Sequence, residues 1–341
     1  MAAFQFGYMT RAQYRRDEDI PARFTELLEQ VRLAEKLGFV SFVKGQHFSS
    51  DPFYEFQQVP LLARAMAEAP TMRLVTGISL LTLHKPLDIA EQMATLDLMS
   101  GGKAVFGCAL GYRDVEYKAF GVKRGEGGKR FEENLEAVKR LFTGEPVTMK
   151  GSHFELDGAQ ISVPMVQEGG PPIWIGANAD VAIKRAARMG DCWYISAHHR
   201  LDTLERQIDL YKRELDAVGK PFPAEMPFRR ETFVADSREQ AIEMVRPHLG
   251  LKYDAYHQWG QDKVMPEGDD DLGQDFDDLL RNRFILGSPD EVAEGIIECH
   301  RKLGVNHMLI CLQWPGMPQS MVLEAMHRFA EEVFPKVREG I

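Results

Sequence analysis

The chain has 341 residues, of which 44% are hydrophobic and 27% charged, and a formal net charge of −10. That acidic balance disfavours nonspecific attraction to nucleic acid or anionic lipid, and the sequence holds no run of about 18 or more apolar residues able to span a bilayer. Residues 1–9, MAAFQFGYM, lack a basic segment followed by an apolar one, so no secretory signal is visible and a cytoplasmic location is expected.

Residues 4–9 form a short apolar run that suits a first buried strand. From Pro21 the pattern turns helical: Phe24, Leu27, Leu28, Val31, Ala34 and Leu37 recur at spacings of three and four and make one apolar stripe. Pro21 fits the first turn of that helix and Gly38 its end. An apolar strand at 39–43 then delivers Lys44, Gln46 and His47. An aromatic loop, 47–56, leads to a helix at 59–68 and a strand at 73–81 with Gly77 in its middle. A helix at 86–99 ends on Gly101-Gly102, a strand follows at 104–110, and a basic, glycine-rich segment at 123–130 precedes a helix reaching about 142.

The stretch 145–154 reads as a small hairpin turning near Gly151-Ser152. Strands at 173–177 and 192–196 flank a helix at 180–189, and a helix at 201–218 follows. A strand at 229–235 and a helix at 239–249 come next. Segment 252–283 breaks the rhythm: it is polar, carries Tyr253, Tyr256 and Trp259, and is strongly acidic near its end. It reads as an insertion lying as a lid over one face. A helix from Ser288-Pro289 to 303, a strand at 307–312 and a closing helix at 321–337 complete the chain.

Eight strands alternating with helices, strand first, imply parallel βαβ units. Over this length they predict an α/β fold in one domain, 1–341, a (β/α)8 TIM barrel with insertions at its C-terminal face. A doubly wound sheet is the alternative, but no GxGxxG follows the first strand. Of the four cysteines, Cys108, Cys192 and Cys311 lie in strand-like runs and Cys299 in a helical one, without CxxC spacing, which suggests buried thiols.

In a barrel, chemistry sits at the C-terminal strand ends. Gln46 and His47 follow the second strand, Ser79 and His84 the third, Tyr112 and Arg113 the fourth, Asn178 the fifth, Ser196, His198 and His199 the sixth, and Gln313 and Trp314 the eighth. A zinc site is disfavoured: the first strand ends in Tyr8-Met9-Thr10, with no His-x-His or carboxylate. His198 and His199 are adjacent, so a strand would point them to opposite sides. Asn178-Ala179-Asp180 at a helix start suits either a bound phosphate or an ordinary cap. Lys123, Arg124, Lys129 and Arg130 suit either a phosphate pocket or a solvated charge run.

Several stretches carry a family resemblance: AEKLGFVSFVKGQHF at the second strand, MATLDLMSGGKAVFGCALGY at the fourth, PPIWIGANADVAIKRAARMGD at the fifth, then ILGSPDEVAEGI, VNHMLICLQWPGMP and FAEEVFPKVRE. In this order, across nearly the whole chain, they resemble the bacterial luciferase-like, flavin-dependent monooxygenases. The resemblance implies a luciferase-like barrel with reduced FMN (FMNH2) at its C-terminal mouth, brought by a separate flavin reductase, and O2 activated as a C4a-peroxide that oxygenates a small organic substrate. A minority branch uses the deazaflavin F420 for hydride transfer without oxygen. A non-catalytic flavin-binding partner subunit is a third possibility, and a homodimer is implied.

The family's second-strand Glu-His-His is matched here by Gln46-His47-Phe48, which leaves His47 as the implied acid or base and sets Gln46 and Phe48 in the substrate pocket with Trp314. The altered neighbours imply a substrate other than that of luciferase. Gly77-Ile78 matches a non-prolyl cis peptide behind the flavin ring, and the ring would lie over Gly77, Ile78 and Ser79. The phosphate would lie near Tyr112, Lys129, Arg130 and the backbone of Asn178-Ala179. The luciferase cysteine is nearest Ala109 and the family's fourth-strand arginine is Leu110, so neither is carried over.

Overall fold

In the computed structural model, which describes residues 3–341, the apolar runs of the sequence become the staves of a parallel barrel. The eight staves are β1 (Gln5–Thr10), β2 (Ser41–Lys44), β3 (Arg73–Thr76), β4 (Ala104–Ala109), β5 (Ile173–Gly176), β6 (Cys192–Tyr194), β7 (Pro227–Phe228) and β8 (His307–Ile310). Their order around the sheet is β6-β5-β4-β3-β2-β1-β8-β7, and a bridge between Ile195 and Phe228 closes the ring. Tyr8 of β1 sits opposite Phe42 on one side and Ile310 on the other, so the register brings large side chains to one level.

Each long connection is a helix whose apolar stripe faces the sheet. The helix α1 (Ile20–Lys36) begins where Asp19 accepts the Ala22 amide, with Pro21 in its first turn, and buries Leu27, Leu28, Val31 and Ala34. After it come α2 (Gln58–Met66), α3 (Pro86–Ser100), α4 (Gly127–Phe142), α5 (Asp180–Met189), α6 (Leu201–Ala217), α7 (Arg238–Gln258) and α8 (Pro289–Leu303). The last of these opens with a reciprocal capping box between Ser288 and Glu291. The chain closes through Gln319–Arg328, a π turn at Phe329–Val333 and Phe334–Gly340; Phe334 stacks on Phe6 at 3.8 Å. No helix among the described residues is long and apolar enough to cross a membrane, and all four cysteines are buried and free.

The N-terminal end of the barrel is plugged by polar groups that satisfy one another. Ser41 Oγ lies 3.0 Å from His307 Nε2, His307 Nδ1 lies 2.7 Å from Glu225 Oε1, and Arg73 donates to the same oxygen at 2.5 Å. Burial pushes the Glu225 carboxyl up, but hydrogen bonds from His307 and Arg73 outweigh it and hold it at about 2. Gly7 makes room for the plug, since a Cβ there would sit 2.2 Å from Ser41 Oγ. This end has the character of a stability element.

Two local readings are corrected and a third is extended. The expected seventh strand at 229–235 is shifted: Pro227–Phe228 forms the stave, and Glu231–Val234 pairs outside the ring with Phe284–Gly287, a strand the sequence pattern did not reveal. The ladder stops at the two arginines that follow Phe228: Arg229 lines the cavity described below, and Arg230 donates to the carbonyls of His199 and Asn282. The helix expected at 239–249 continues through Pro247 to Gln258, because Lys252, Tyr253 and Tyr256 find buried surroundings one helical turn apart. The hairpin at 145–154 is present as Val147–Lys150 paired with Glu155–Ala159.

Candidate active site

The C-terminal strand ends surround a cavity of about 310 Å³. Met9 from β1, Ala109 from β4, Gly176 from β5 and Tyr194 from β6 form its base, together with Gly77 and Ile78 just beyond β3. Tyr256 from α7 and Gln261 and Val264 from segment 252–283 contribute to its wall.

His47 stands in this wall at the end of β2. Its Nδ1 lies 3.1 Å from Oε1 of Glu116, a buried carboxylate on the short helix Asp114–Ala119. The same oxygen accepts the Phe48 amide at 2.9 Å and Arg113 Nη1 at 3.2 Å. Arg113 in turn donates to the carbonyls of Phe48 and Ser49, and its guanidinium lies 3.9 Å from the centroid of the Trp259 ring. The rings of Tyr112, Tyr256 and Trp259 pack around the imidazole. The histidine is thereby fixed through Nδ1 and orientated by a carboxylate that is itself held.

Gln46 also lines the cavity, and its Oε1 accepts the Leu80 amide at 2.8 Å. His84 Nε2 lies 3.3 Å from the same oxygen, and burial keeps that imidazole below its ordinary pKa. Gln46 therefore braces the β2 end against the loop after β3. The Gly77-Ile78 peptide there is cis. Ile78 lies against β4 and β5, where side chains would collide: a Cβ on Gly176 would be 3.1 Å from Ile78 Cδ1, and one on Gly107 would be 2.0 Å from the Thr76 carbonyl oxygen.

At the β5 end, Asn178, Ala179, Val181, Ala182 and Arg185 line the cavity. Ala179 occupies the N-cap of α5, so no side chain caps the helix and its first amides are available. Asp180 does not compete for them: Arg206 grips its carboxylate at 2.7 and 2.9 Å, and these hydrogen bonds hold its pKa below the usual carboxylate range. Arg185 is anchored through Nε to Glu132 at 2.7 Å.

The remaining wall is the charged one. Arg11, Arg229, His198 and Tyr256 line it. Arg11 donates to Tyr256 Oη at 2.9 Å and to Glu231 Oε1 at 2.7 Å. Lys252 lies 3.1 Å from that same oxygen, and Trp314 Nε1 donates to the other at 3.1 Å. Burial drives the Glu231 carboxyl up, but Lys252, Arg11 and Arg229 overcome it and hold it at about 2. Next to this wall, Lys44 and Glu55 close a buried pair at 2.8 Å.

The structure sorts the residues singled out in the sequence. His47, Gln46, Gly77, Ile78, Tyr112, Asn178 and Ala179 all line one cavity. Ser79 does not: its Oγ donates to Gln58 at 2.6 Å on the far side of the loop. Phe48 turns away to pack on Phe120 and His84. Lys129 is exposed and faces Glu133, and Arg130 donates to the Thr82 carbonyl, so neither lines the cavity. Both stand on the first turn of α4, whereas Arg185 on α5 lines the cavity and has Nη2 only 3.3 Å from where a Cβ on Gly128 would stand. Trp314 is fully buried beneath Glu231 and does not line the cavity. The adjacent histidines do part company: His198 lines the cavity, while His199 lies 3.4 Å from Ser196 Oγ and 3.3 Å from the Asn178 carbonyl.

Sequence reasoning did not pick out Arg11, Arg185 or Arg229. Arg229 carried a usable signal, as the first charge after an apolar strand. Arg185 carried none, since it looks like any polar position of an amphipathic helix.

Comparison with known proteins agrees with this architecture. The family description "luciferase-like monooxygenase" matches residues 4–307. The F420-dependent glucose-6-phosphate dehydrogenase of Amycolatopsis mediterranei is 26% identical, over 92% of this chain and 94% of its own. The oxygenase component of the flavin-dependent trigonelline monooxygenase of Acinetobacter baylyi is 22% identical, over 93% and 91%. Among solved structures, the monooxygenase RslO1 of Streptomyces bottropensis superposes with a TM-score of 0.84 at 24% identity, covering 97% of this chain and 99% of that one. These relatives are oxidoreductases of two kinds, flavin-dependent oxygenase and F420-dependent dehydrogenase. On the extent of the family match, the chain belongs to the luciferase-like monooxygenase family.

Proposed function

We propose that this chain is an FMNH2- and O2-dependent monooxygenase of small organic molecules, supplied with reduced flavin by a separate reductase. The observation that carries the reading is the sheltered cavity with His47 held in its wall by Glu116. Oxygenation needs a site from which water is kept out, and Tyr256, Gln261 and Val264 supply that cover as a lid.

The residues present fit a flavin mononucleotide. Gly77 and Gly176, which carry no side chains, flank Ile78 in the cavity lining and leave a wall suited to a flat ring system. The uncapped start of α5, with Arg185 beside it, suits a phosphate. The Tyr112 hydroxyl is buried in the wall without a partner and is free to donate to a bound group. Reduced FMN, when bound, supplies the electrons and the centre at which O2 is activated. The chain's own part is to orient, to exclude water and to manage a proton. With Nδ1 of His47 engaged by Glu116, Nε2 is the atom left to exchange a proton with the reactants.

The second reading, F420-dependent hydride transfer, is favoured by the 26% identity to an F420-dependent dehydrogenase over most of both chains. Anaerobic titration with FMNH2 and with reduced F420 separates the two. The proposal expects binding of FMNH2, followed by flavin-dependent oxygen uptake with substrate; tight binding of the deazaflavin alone overturns it. His47→Ala is expected to lower product yield by about 10²–10⁴-fold while FMNH2 still binds. An unchanged yield removes His47 from the mechanism, whereas a wild type that binds FMNH2 but gives no flavin-dependent oxygen uptake with any substrate favours a non-catalytic subunit. A cytoplasmic homodimer is part of the same proposal, and gel filtration at the monomer volume over a wide concentration range would reject the dimer.

A further inference from the structure

Arg229 is a buried charge that faces the cavity with no carboxylate of its own; beside it stands the neutral hydroxyl of Tyr194. It follows β7 directly, lines the cavity and is 5% exposed. Its Nε and Nη2 are buried and have no hydrogen-bond partner. A guanidinium does not lose its proton inside a protein, so it must be compensated by an anion.

The surrounding charges do not provide one. Arg11 and Lys252 already share Oε1 of Glu231, and the other oxygen of that carboxylate takes the Trp314 indole. Glu55 is closed on Lys44. Three cations thus face one carboxylate. Burial pushes Lys252 well below its ordinary pKa, yet even a neutral Lys252 leaves Glu231 matched to Arg11 and Arg229 unmatched. His198, on the same wall, has both ring nitrogens buried and unpartnered, and burial keeps it uncharged, so one nitrogen offers a further hydrogen bond. The rest of the cavity is largely apolar, with Met9, Ile78, Leu80 and Val264 among its lining.

We infer that the substrate carries an anionic group, a carboxylate or sulfonate on an apolar body, and that Arg229 receives it with His198 alongside. This rests on the monooxygenase reading only in taking the occupant of this wall to be the substrate. The cofactor's phosphate has a separate home at the start of α5 beside Arg185, whereas Arg229 stands by Arg11 and His198. The arginine binds and positions; it takes no part in bond making. Its planar fork matches the oxygens of a carboxylate or sulfonate.

The test uses the full-length protein without flavin and two matched probe pairs, benzoate against benzamide and hexanesulfonate against 1-hexanol. Binding is read by calorimetry. The wild type is expected to prefer the anion of at least one pair by about tenfold or more. Arg229→Met is expected to weaken the anion about 10- to 100-fold while the neutral probe and, separately, FMN bind within about threefold of wild type. Free Arg229→Met should also melt at a higher temperature than wild type, because it removes an uncompensated buried charge. Arg229→Lys should keep part of the anion preference. The inference is overturned if the wild type shows no anion preference in either pair. It is equally overturned if Arg229→Met loses FMN binding as steeply as anion binding, because the arginine then serves the cofactor. Should the methionine variant fail to fold, the wild-type preference and the lysine variant still decide. Failure of FMNH2 to bind strikes the monooxygenase reading alone, since the probe measurement uses no flavin.

Discussion

On the His47 side of the cavity, one buried carboxylate takes three donors through a single oxygen, and its arginine neighbour spends its guanidinium on two carbonyls and an indole face. On the Arg229 side, three cations stand around Glu231, and a cavity-facing guanidinium has no partner at two of its nitrogens. Both walls are buried and polar, yet they are built for different tasks. The first matches one guanidinium to one carboxylate and uses the pair to aim a histidine, which is the arrangement expected around a group that moves a proton. The second leaves a charge in surplus, which raises the cost of the empty site and lowers it when an anion arrives. Orientation and recognition are thus assigned to different strands of one barrel.

Four measurements press on that contrast. Glu231→Gln should have the largest effect, because it strips from Arg11 and Lys252 the carboxylate they share; a loss of about 3–5 kcal/mol in chemical denaturation is expected. A loss under about 1 kcal/mol would mean that the cations are not crowded, and the contrast would fail.

Acidification comes next. His199 is pushed by burial to about 4, so it is neutral when folded, whereas the unfolded chain takes up the proton near the ordinary histidine value of 6.5. The unfolded state therefore binds more protons between pH 6.5 and about 4, and stability drops as pH falls through that window. His199 alone should account for about 3 kcal/mol of loss there, and His199→Gln should make this limb of the stability curve shallower, with the buried His198 contributing in the same direction. Below about pH 4.5 the carboxylates Glu231 and Glu225, both held at about 2, add a further loss in the same direction. Stability that is flat from pH 6.5 to 4 would contradict the histidine assignment, and stability that is flat from pH 4.5 to 2 the carboxylate one.

Glu116→Gln tests the other wall. It keeps an acceptor for the Phe48 amide but weakens the hold on His47, and kcat should fall on the order of 10- to 100-fold with KM and FMN affinity little changed. A rise in KM alone would make Glu116 a packing residue. The smallest effect is expected from Trp259→Phe, which keeps the ring over Arg113 but loses the 2.7 Å bond from Nε1 to the Asp51 carbonyl. About 0.5–1.5 kcal/mol should be lost from the anchoring of segment 252–283, seen as faster limited proteolysis of that segment.

The barrel was legible because its signals are local. Stripes such as Leu27-Leu28-Val31-Ala34, stops such as Gly38 and Gly101, and short apolar runs between them follow from the geometry of single elements. The site was legible only where a strand end delivers a polar residue directly, as with His47 and Asn178. It was hidden where a helix decides. Lys129, Arg130 and Arg185 are all basic residues on amphipathic helices, and only the packing of α5 against α4 determines which lines the cavity. Trp314 looked like a pocket residue because it follows β8, but its indole N–H has a buried carboxylate to serve. The pairing of Glu231–Val234 with Phe284–Gly287 joins segments about 50 residues apart, and no periodicity within either segment announces it.

One detail of the closure bears on how the cavity is filled. The seventh stave is two residues long, and it meets the sixth through one bonded pair of amides: Ile195 donates to Pro227 and accepts from Arg229. Every other pair of neighbours in the ring shares a longer ladder, the shortest being β3–β4 and β7–β8 with two register pairs each. The barrel therefore has a seam, and Arg229 is the residue that stitches it, with its amide in the last bond and its guanidinium in the cavity wall. Parting those two bonds is the least costly way to open the ring. An anion drawing the Arg229 side chain inward would pull the stitch tight, so occupancy of the pocket and integrity of the barrel wall are settled at one residue, and slowed amide exchange at Ile195 and Arg229 would be the mark of a filled site.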